Sequence, residues 1–393
     1  MPEPSLGLMM ILRDEAANLP RSLVPVAGCF DEVVVVDTGS LDDTPNICAQ
    51  LGAKVFRRPW DDDFAAARNH AIAQASAAWL LWLDGDNAVT PAEVQALRRL
   101  LPTGGPAIIW AQEQVVPSGE RLWQKRCFPR RPEVRFAGRV HEQLEHPPDW
   151  PNLAAPMTIL HWGYVDPQRV RAKGAYYLSL LEQSLKQSPD DYYLNYQAGR
   201  CLWNLGRLPA AAGHLRQVAA SGQARRANPE LWAAAQHLLA QALLRLGDAP
   251  SAEALLDRLL EQMPLHGLSH YQRGRLAYDL DDWPGAAEHL SQALALGLGA
   301  PVVDLDPVKT LFLAHYFLAR ALERQGRAAE ALPVLAAAVA GDPGQLAART
   351  DLARLLIGAG RPGEARQHLH QVLAARPGDR QANHLLARMR GAA

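Results

Sequence analysis

The sequence predicts an α/β domain with a mostly parallel sheet, followed by an all-α solenoid of repeated helix pairs. Three observations carry this prediction. Short β-rich runs alternate with helical patterns up to about residue 165. Strand signals vanish after about residue 170. The later segment then repeats itself at a nearly constant spacing. A chain of 393 residues is also too long for one ordinary core, and at about 150 residues per domain it suggests two or three units.

In the first region the β-rich runs are 6–12, 32–37 (EVVVVD), 53–58 (AKVFRR) and 79–84 (WLLWLD). Segments 15–26, 44–51 and 64–75 lie between them with helical apolar spacing. Such alternation implies parallel strands joined by crossover helices. Four successive valines, Val33 to Val36, indicate a strand buried on both faces. Two further β-like segments, 107–116 and 122–128, flank the turn-like Pro117-Ser118-Gly119 and suggest a hairpin beside the main sheet.

The second region is rich in Ala, Leu, Gln and Arg, and each helix pair turns at a similar motif. The turns fall at Gly206, Gly247, Gly326 and Gly360, with Asp281 in the same place in the middle unit. Gly247 and Asp281 are 34 residues apart, as are Gly326 and Gly360, and insertions at 221–228 and 297–307 account for the longer intervals. Small residues follow each turn (Ala211, Ala252, Ala286, Ala329, Ala365), where two helices must approach closely, and Pro229, Pro264, Pro343 and Pro377 punctuate the units. The units resemble tetratricopeptide repeats, whose period is about 34 residues. The expected organisation is a sheet domain over 1–165, a linking helix over 166–190, and a solenoid over 191–393 of about five repeats and a capping helix.

Composition removes several function classes. Lys plus Arg number 40 against 41 Asp plus Glu. A general nucleic-acid binder would show a basic excess, so nucleic acid is not an expected partner. The four cysteines show no C-x-x-C spacing, which argues against a zinc ribbon and suits a reducing, cytoplasmic compartment. The apolar run at 6–12 has no basic leader and reads as a buried strand instead of a signal peptide. No stretch approaches the roughly 20 apolar residues of a transmembrane helix.

Four motifs sit at strand ends. Asp84-Gly85-Asp86-Asn87 follows WLLWL, and two carboxylates there should enter the crevice beyond the strands' carboxyl ends. Such a pair can bind a hard divalent cation, which in turn can neutralise a diphosphate. Asp37-Thr38-Gly39-Ser40 ends the valine strand. Asp37 can accept hydrogen bonds from a nucleobase or ribose there, whereas Asp42, Asp43 and Thr44 read as helix caps. Arg13-Asp14-Glu15 ends the first strand. Ala66-Ala67-Arg68-Asn69 offers a charge-assisted donor to phosphate.

In this order the motifs resemble the family-2 glycosyltransferases of GT-A (Rossmann-like) fold, and most closely the subset with tetratricopeptide repeats after the catalytic domain. Trp60-Asp61-Asp62-Asp63-Phe64 matches the same series, which covers roughly the first 165 residues. The resemblance implies transfer from a nucleotide-sugar donor. It implies that Glu15 and Asp37 contact the nucleoside, Arg68 the diphosphate, and Asp84 and Asp86 a Mn2+ or Mg2+ ion, with Arg13 and Asp84 also among the residues that bind the nucleotide-sugar. Asn87 departs from a position that is often acidic in this group, which weakens any role for it. Gly138-Arg139-Val140-His141-Glu142 resembles the subset's G-x-(V/I)-H-E element. An inverting transferase needs a carboxylate base; Glu142 is the candidate, with His141 a further metal or phosphate contact. His161, in Leu160-His161-Trp162-Gly163-Tyr164, is a candidate metal ligand. Lys173 reads as a solvated helix residue. A peptide or protein acceptor held by the repeats is the preferred partner, and polysaccharide or lipid-linked acceptors fit the same chemistry. A non-catalytic repeat scaffold with a nucleotide-binding domain is the competing reading. A nucleotidyltransferase is disfavoured, because no Gly-rich phosphate loop occurs near residues 8–13.

Overall fold

The structure is a computed structural model. It describes residues 3–116, 119, 121–163, 167–298 and 307–391. The chain divides into two compact units, Met1–Gln217 and Val218–Ala393.

The first unit is built on β1 (Leu6–Leu12), β2 (Glu32–Asp37), β3 (Lys54–Arg57), β4 (Trp79–Trp82), β5 (Asn87–Ala88), β6 (Ile108–Val115), β7 (Arg121–Pro129) and β10 (Asn152–His161). They form one eight-stranded sheet in the order β3-β2-β1-β4-β7-β6-β10-β5, while β8 (Arg135–Ala137) pairs with β9 (Gln143–Glu145) in a small second sheet. β1, β2, β3 and β4 are parallel to their neighbours in that part of the sheet, as expected. The β6–β7 hairpin does not lie beside the sheet but inside it. β7 runs antiparallel against β4, and β6 pairs with both β7 and β10. Pro117 and Ser118 of its predicted turn lie outside the described residues.

The valine strand is buried throughout. Val33 and Val35 join one core with Leu8, Met10 and Leu81, while Val34 and Val36 join the other with Met9 and Leu80. Helices α1 (Leu19–Ser22), α2 (Thr44–Gln50) and α4 (Pro91–Leu100) supply Leu19, Cys48, Val94 and Leu97 to the first core. Helix α3 (Phe64–Gln74) supplies Ala65 and Ala71 to the second. The helical pattern at 15–26 yields only the short α1, because Pro25 lacks an N–H and cannot extend it.

Beyond β10 the same unit continues through α5 (Pro167–Gln187) and α6 (Tyr192–Asn204) into α7 (Leu208–Ala220). Composition changes near residue 165, yet compactness changes only at Gln217. The reason is a shared core. Val140, from the sheet region, packs with Leu178, Leu181, Ala198, Leu202 and Ala211.

In the second unit a short helix, α8 (Gly222–Ala227), occupies the first predicted insertion. Helix pairs follow: α9 (Pro229–Arg245) with α10 (Ala249–Gln262), α11 (Gly267–Asp279) with α12 (Trp283–Leu296), α13 (Pro307–Arg324) with α14 (Ala328–Gly341), and α15 (Leu346–Gly358) with α16 (Pro362–Ala375). Helix α17 (Arg380–Gly391) closes the series. Most of the second insertion lies outside the described residues. The predicted turn residues have φ of 74° (Gly206), 83° (Gly247), 60° (Asp281), 77° (Gly326) and 73° (Gly360). Each left-handed residue lets the next N–H reach back to a helix carbonyl, as from Asp248 to Leu243 and from Arg361 to Leu356, both 2.9 Å. Five residues later, Ala211, Ala252, Ala286, Ala331 and Ala365 are fully buried. The expectation of Ala329 is thereby corrected to Ala331. Ala329 faces solvent, because helical phase sets the buried position five residues beyond the cap.

Candidate active site

The carboxyl ends of β1 and β4 are adjacent, and the Arg13-Asp14-Glu15 and Asp84-Gly85-Asp86 motifs meet there. The loop after β1 is locked to the loop after β2 by four hydrogen bonds. Asp14 N donates to Ser40 Oγ (3.0 Å), Leu41 N to Asp14 Oδ1 (2.7 Å), Glu15 N to Thr44 Oγ1 (2.8 Å) and Ala16 N to Asp42 Oδ2 (3.0 Å). Asp42 and Thr44 therefore also tie the loops together; Asp42 Oδ1 accepts in addition from Thr44 N (3.0 Å) at the start of α2, while Asp43 occupies the N-cap position with no side-chain bond to the helix backbone and accepts instead from Asn46 Nδ2 (2.7 Å). Asp14 pays for this arrangement with a left-handed backbone, φ 54°.

A pocket of about 720 Å³ opens at these strand ends. Arg13, Glu15, Arg68, Asp84, Asp86, His141, Glu142 and His161 all line it. Asp37 does not. It is buried, and one of its oxygens accepts from Ser40 N (3.1 Å). Its place is in the turn that shapes the wall.

Arg68 organises the interior. Its Nε donates to Glu142 Oε1 (2.5 Å) and its Nη2 to Asp84 Oδ1 (2.9 Å), while its guanidinium lies 4.0 Å from the centre of the Trp82 ring. Its Nη1 is buried without a hydrogen-bond partner. Asp84 also faces the buried Arg126, whose Nη1 is 3.7 Å away. Burial opposes ionisation of Asp84, but Arg68 and Arg126 together hold its carboxyl well below the ordinary range. Arg126 is itself neutralised by the buried Glu113.

The D-x-D turn depends on Asn87, the position the sequence reading discounted. Its Oδ1 accepts from Asp84 N (3.0 Å) and Arg126 Nη1 (3.2 Å), so its Nδ2 faces His161 Nδ1 (2.9 Å). An Nδ1 that accepts leaves the proton of the neutral ring on Nε2. Burial disfavours a charged ring, but Asp86, 3.4 Å from Nδ1, more than offsets this and raises the pKa of His161. His161 thus lines the pocket beside Asp86. A Cβ on Gly163 would stand 2.5 Å from Asp86 Oδ2 and 2.7 Å from His161 Nε2, so glycine keeps this corner open. Gly85 is equally constrained, because a Cβ there would meet Glu15 Cγ at 2.5 Å. Among the described residues no three His, Cys, Asp or Glu side chains converge as a ready-made metal site.

The far wall comes from α5, which sequence reasoning treated only as a link. Ala172, Lys173, Tyr176 and Tyr177 line the pocket. Lys173 is exposed, as expected of a solvated residue, yet it also borders the cavity with its Nζ 5.7 Å from the Tyr177 ring. Tyr176 accepts from Trp60 Nε1 (2.6 Å) and donates to Asp62 Oδ1 (2.5 Å), and Tyr177 packs edge-on against Phe64. The W-D-D-D-F motif is thus the seat of α5. Tyrosines three and four residues into a spacing that matches one helix face were the available signal. His141 is neutral, because burial, aided by Arg200 and Lys173, pushes its pKa down to about 3. Asn69 brackets the backbone of Phe136 with two 2.8 Å hydrogen bonds, fixing the strand that leads to the His141-Glu142 turn.

The sequence profile of glycosyl transferase family 2 matches residues 9–157, and tetratricopeptide-repeat profiles match 178–230, 237–301 and 314–389. A TPR repeat-containing protein of Synechococcus elongatus is 34% identical over 300 residues, covering 70% of this chain and 73% of that protein. The SPbeta prophage-derived glycosyltransferase SunS of Bacillus subtilis is 24% identical over 223 residues, covering 54% of this chain and 53% of SunS. This chain thus spans about three quarters of the first relative and half of the second. An uncharacterized glycosyltransferase of Rickettsia felis is 37% identical over 81 residues, covering 21% of this chain and 28% of that protein. The chain thus carries a glycosyl transferase family 2 domain followed by tetratricopeptide repeats.

Proposed function

We propose that this protein transfers a glycosyl group, with inversion, from a nucleoside-diphosphate sugar to a peptide or protein acceptor, aided by a divalent cation. The observation that carries the reading is the meeting of Arg68 with both Asp84 and Glu142 in one pocket. The stacked helix pairs, which offer an extended binding face, support the choice of acceptor.

The pocket's own charge supports the cation. Glu15, Asp62, Asp84, Asp86 and Glu142 line it against Arg13, Arg68 and Lys173. A diphosphate entering this acidic lining meets repulsion unless positive charge arrives with it. Asp86 is the carboxylate best placed to hold a divalent ion, since Asp84 is already paired with two arginines and Gly163 leaves space beside Asp86 Oδ2. Magnesium commonly binds one or two carboxylates together with substrate phosphates, which fits this donor set. When bound, such an ion neutralises charge on the departing diphosphate.

The remaining chemistry falls to the chain's side chains. The acceptor's nucleophile attacks the anomeric carbon from the face opposite the diphosphate, and the carbon–oxygen bond to the diphosphate breaks. Glu142 takes the acceptor's proton. Arg68 and the ring of His161 donate to phosphate oxygens as charge develops on them. α5 and the Trp60–Phe64 wall exclude water from one side.

A thermal-shift panel of nucleoside diphosphates and their sugars, with and without Mn2+, tests this reading. One base should stabilise the protein, with Asp86→Ala removing the manganese-dependent part. Glu142→Gln should keep the stabilisation and lose about 10²–10⁴-fold in turnover. Absence of nucleotide binding and of turnover with every donor would favour a non-catalytic scaffold.

A further inference from the structure

The His141-Glu142 turn is held from two sides, by Arg68 and Asn69 of α3 and by the helices that follow β10. Its two flanking strands, β8 and β9, pair with each other over three residues only. Val140 is buried in the helical core with Leu178, Leu181 and Leu202. His141 has φ 53°, a conformation that a non-glycine residue keeps only where its surroundings impose it. The imposing group is Tyr193, in the first turn of α6. Its hydroxyl donates to His141 O (3.0 Å) and accepts from Gln143 Nε2 (2.5 Å). Gln143 Nε2 also donates to His141 O (3.1 Å). One phenol therefore grips the residues on both sides of Glu142. Tyr193 is itself fixed, because Asp191 caps α6 and accepts from Tyr193 N (2.8 Å). Burial pushes its phenol up to about 12, so it remains a donor across the working pH range.

We infer that Tyr193 is a positioning residue for Glu142, through which the first helix of the repeat region sets the geometry of proton transfer. Residues 178–230, which include Tyr193, match a repeat profile and lie beyond the transferase profile, which ends at 157. This inference rests on the assignment of Glu142 as the base. A base must sit within hydrogen-bond reach of the proton it removes, and misplacement by about 1 Å can cost on the order of 10²-fold in rate. Arg68 grips the Glu142 carboxylate, and Tyr193 grips the backbone that carries it. The first contact sets charge and the second sets place.

Tyr193→Phe keeps the ring and removes only the hydroxyl. Two measurements on the full chain test the role. The first is amide hydrogen exchange, which needs no substrate. The variant should exchange faster across 138–145, with the strands of the main sheet unchanged. The second is steady-state release of nucleoside diphosphate from the donor sugar found in the panel. The variant should lose about tenfold in kcat, with the donor's KM and the nucleotide-induced thermal shift unchanged. Adding Tyr193→Phe to Glu142→Gln should produce no further loss, since the two would act through one group. Unchanged exchange over 138–145, a wild-type kcat, or additive losses in the double variant would overturn the positioning role. Wild-type turnover by Glu142→Gln alone would instead overturn the assignment of the base.

Discussion

Arg68 is almost entirely buried, with two carboxylates and an indole around it, and the pocket's chemistry follows from that placement. A buried guanidinium is tolerated only when its charge is compensated, and here two carboxylates compensate it. Asp84 is thereby committed to arginine, which leaves Asp86 as the carboxylate for the proposed cation. Gly163 shows the same economy of space. Gly163→Ala would drive a methyl group against Asp86 and His161. Turnover should fall at least tenfold while the melting temperature of the second unit stays the same. Titration of turnover against Mn2+ checks this, and a wild-type half-saturating concentration would show that the corner is not where the cation sits.

At the scale of elements, the repeat turns follow one local rule. A residue with positive φ ends the first helix, and five positions later an alanine faces the partner helix with no exposed surface. A larger side chain there must overpack. Ala331→Leu should cost about 1–3 kcal/mol in chemical denaturation of the second unit, whereas Ala329→Leu, two positions away and exposed, should stay within about 0.5 kcal/mol of wild type. Equal effects would contradict the phase. The turn residues were legible in advance because left-handed backbone restricts composition. The identity of the small residue was misread at one unit, since Ala328, Ala329 and Ala331 are chemically alike and only register separates them. The α5 helix illustrates a different limit. Its amphipathic pattern gives a helix, but no spacing reveals that Tyr176 and Tyr177 meet Trp60 and Phe64, more than a hundred residues earlier.

At the scale of the whole molecule, the first unit is tied at both ends of its sheet by carboxylates. At the end remote from the pocket, Glu32 accepts from Lys54 Nζ (2.8 Å) and from Ser76 and Ala77 N–H. Burial alone would raise its pKa, but these donors lower it from 4.5 to about 2. A carboxylate depressed in the folded state stabilises fully above its unfolded pKa and loses that contribution as pH falls through the folded value. Stability of the first unit should therefore decline between about pH 4.5 and 2, and Glu32→Gln should flatten that decline. Denaturant midpoints across this range test the sign. A variant as acid-sensitive as wild type would remove Glu32 from the account.

The amino-acid sequence by itself determined the two architectures, the order of the strand-end motifs and the repeat turns. Each of these depends on periodicity or local backbone chemistry that neighbouring residues impose. The tertiary structure decided what depends on residues far apart in the chain. It set Asp37 in the wall, Asn87 at the centre of the D-x-D turn, and His161 between Asn87 and Asp86. It also carried the first unit past the change in composition to Gln217, because Val140 and the leucines of α5 and α6 share one core. Partnership across long sequence separations is a matter of packing and charge compensation, and composition or spacing along the chain does not encode it.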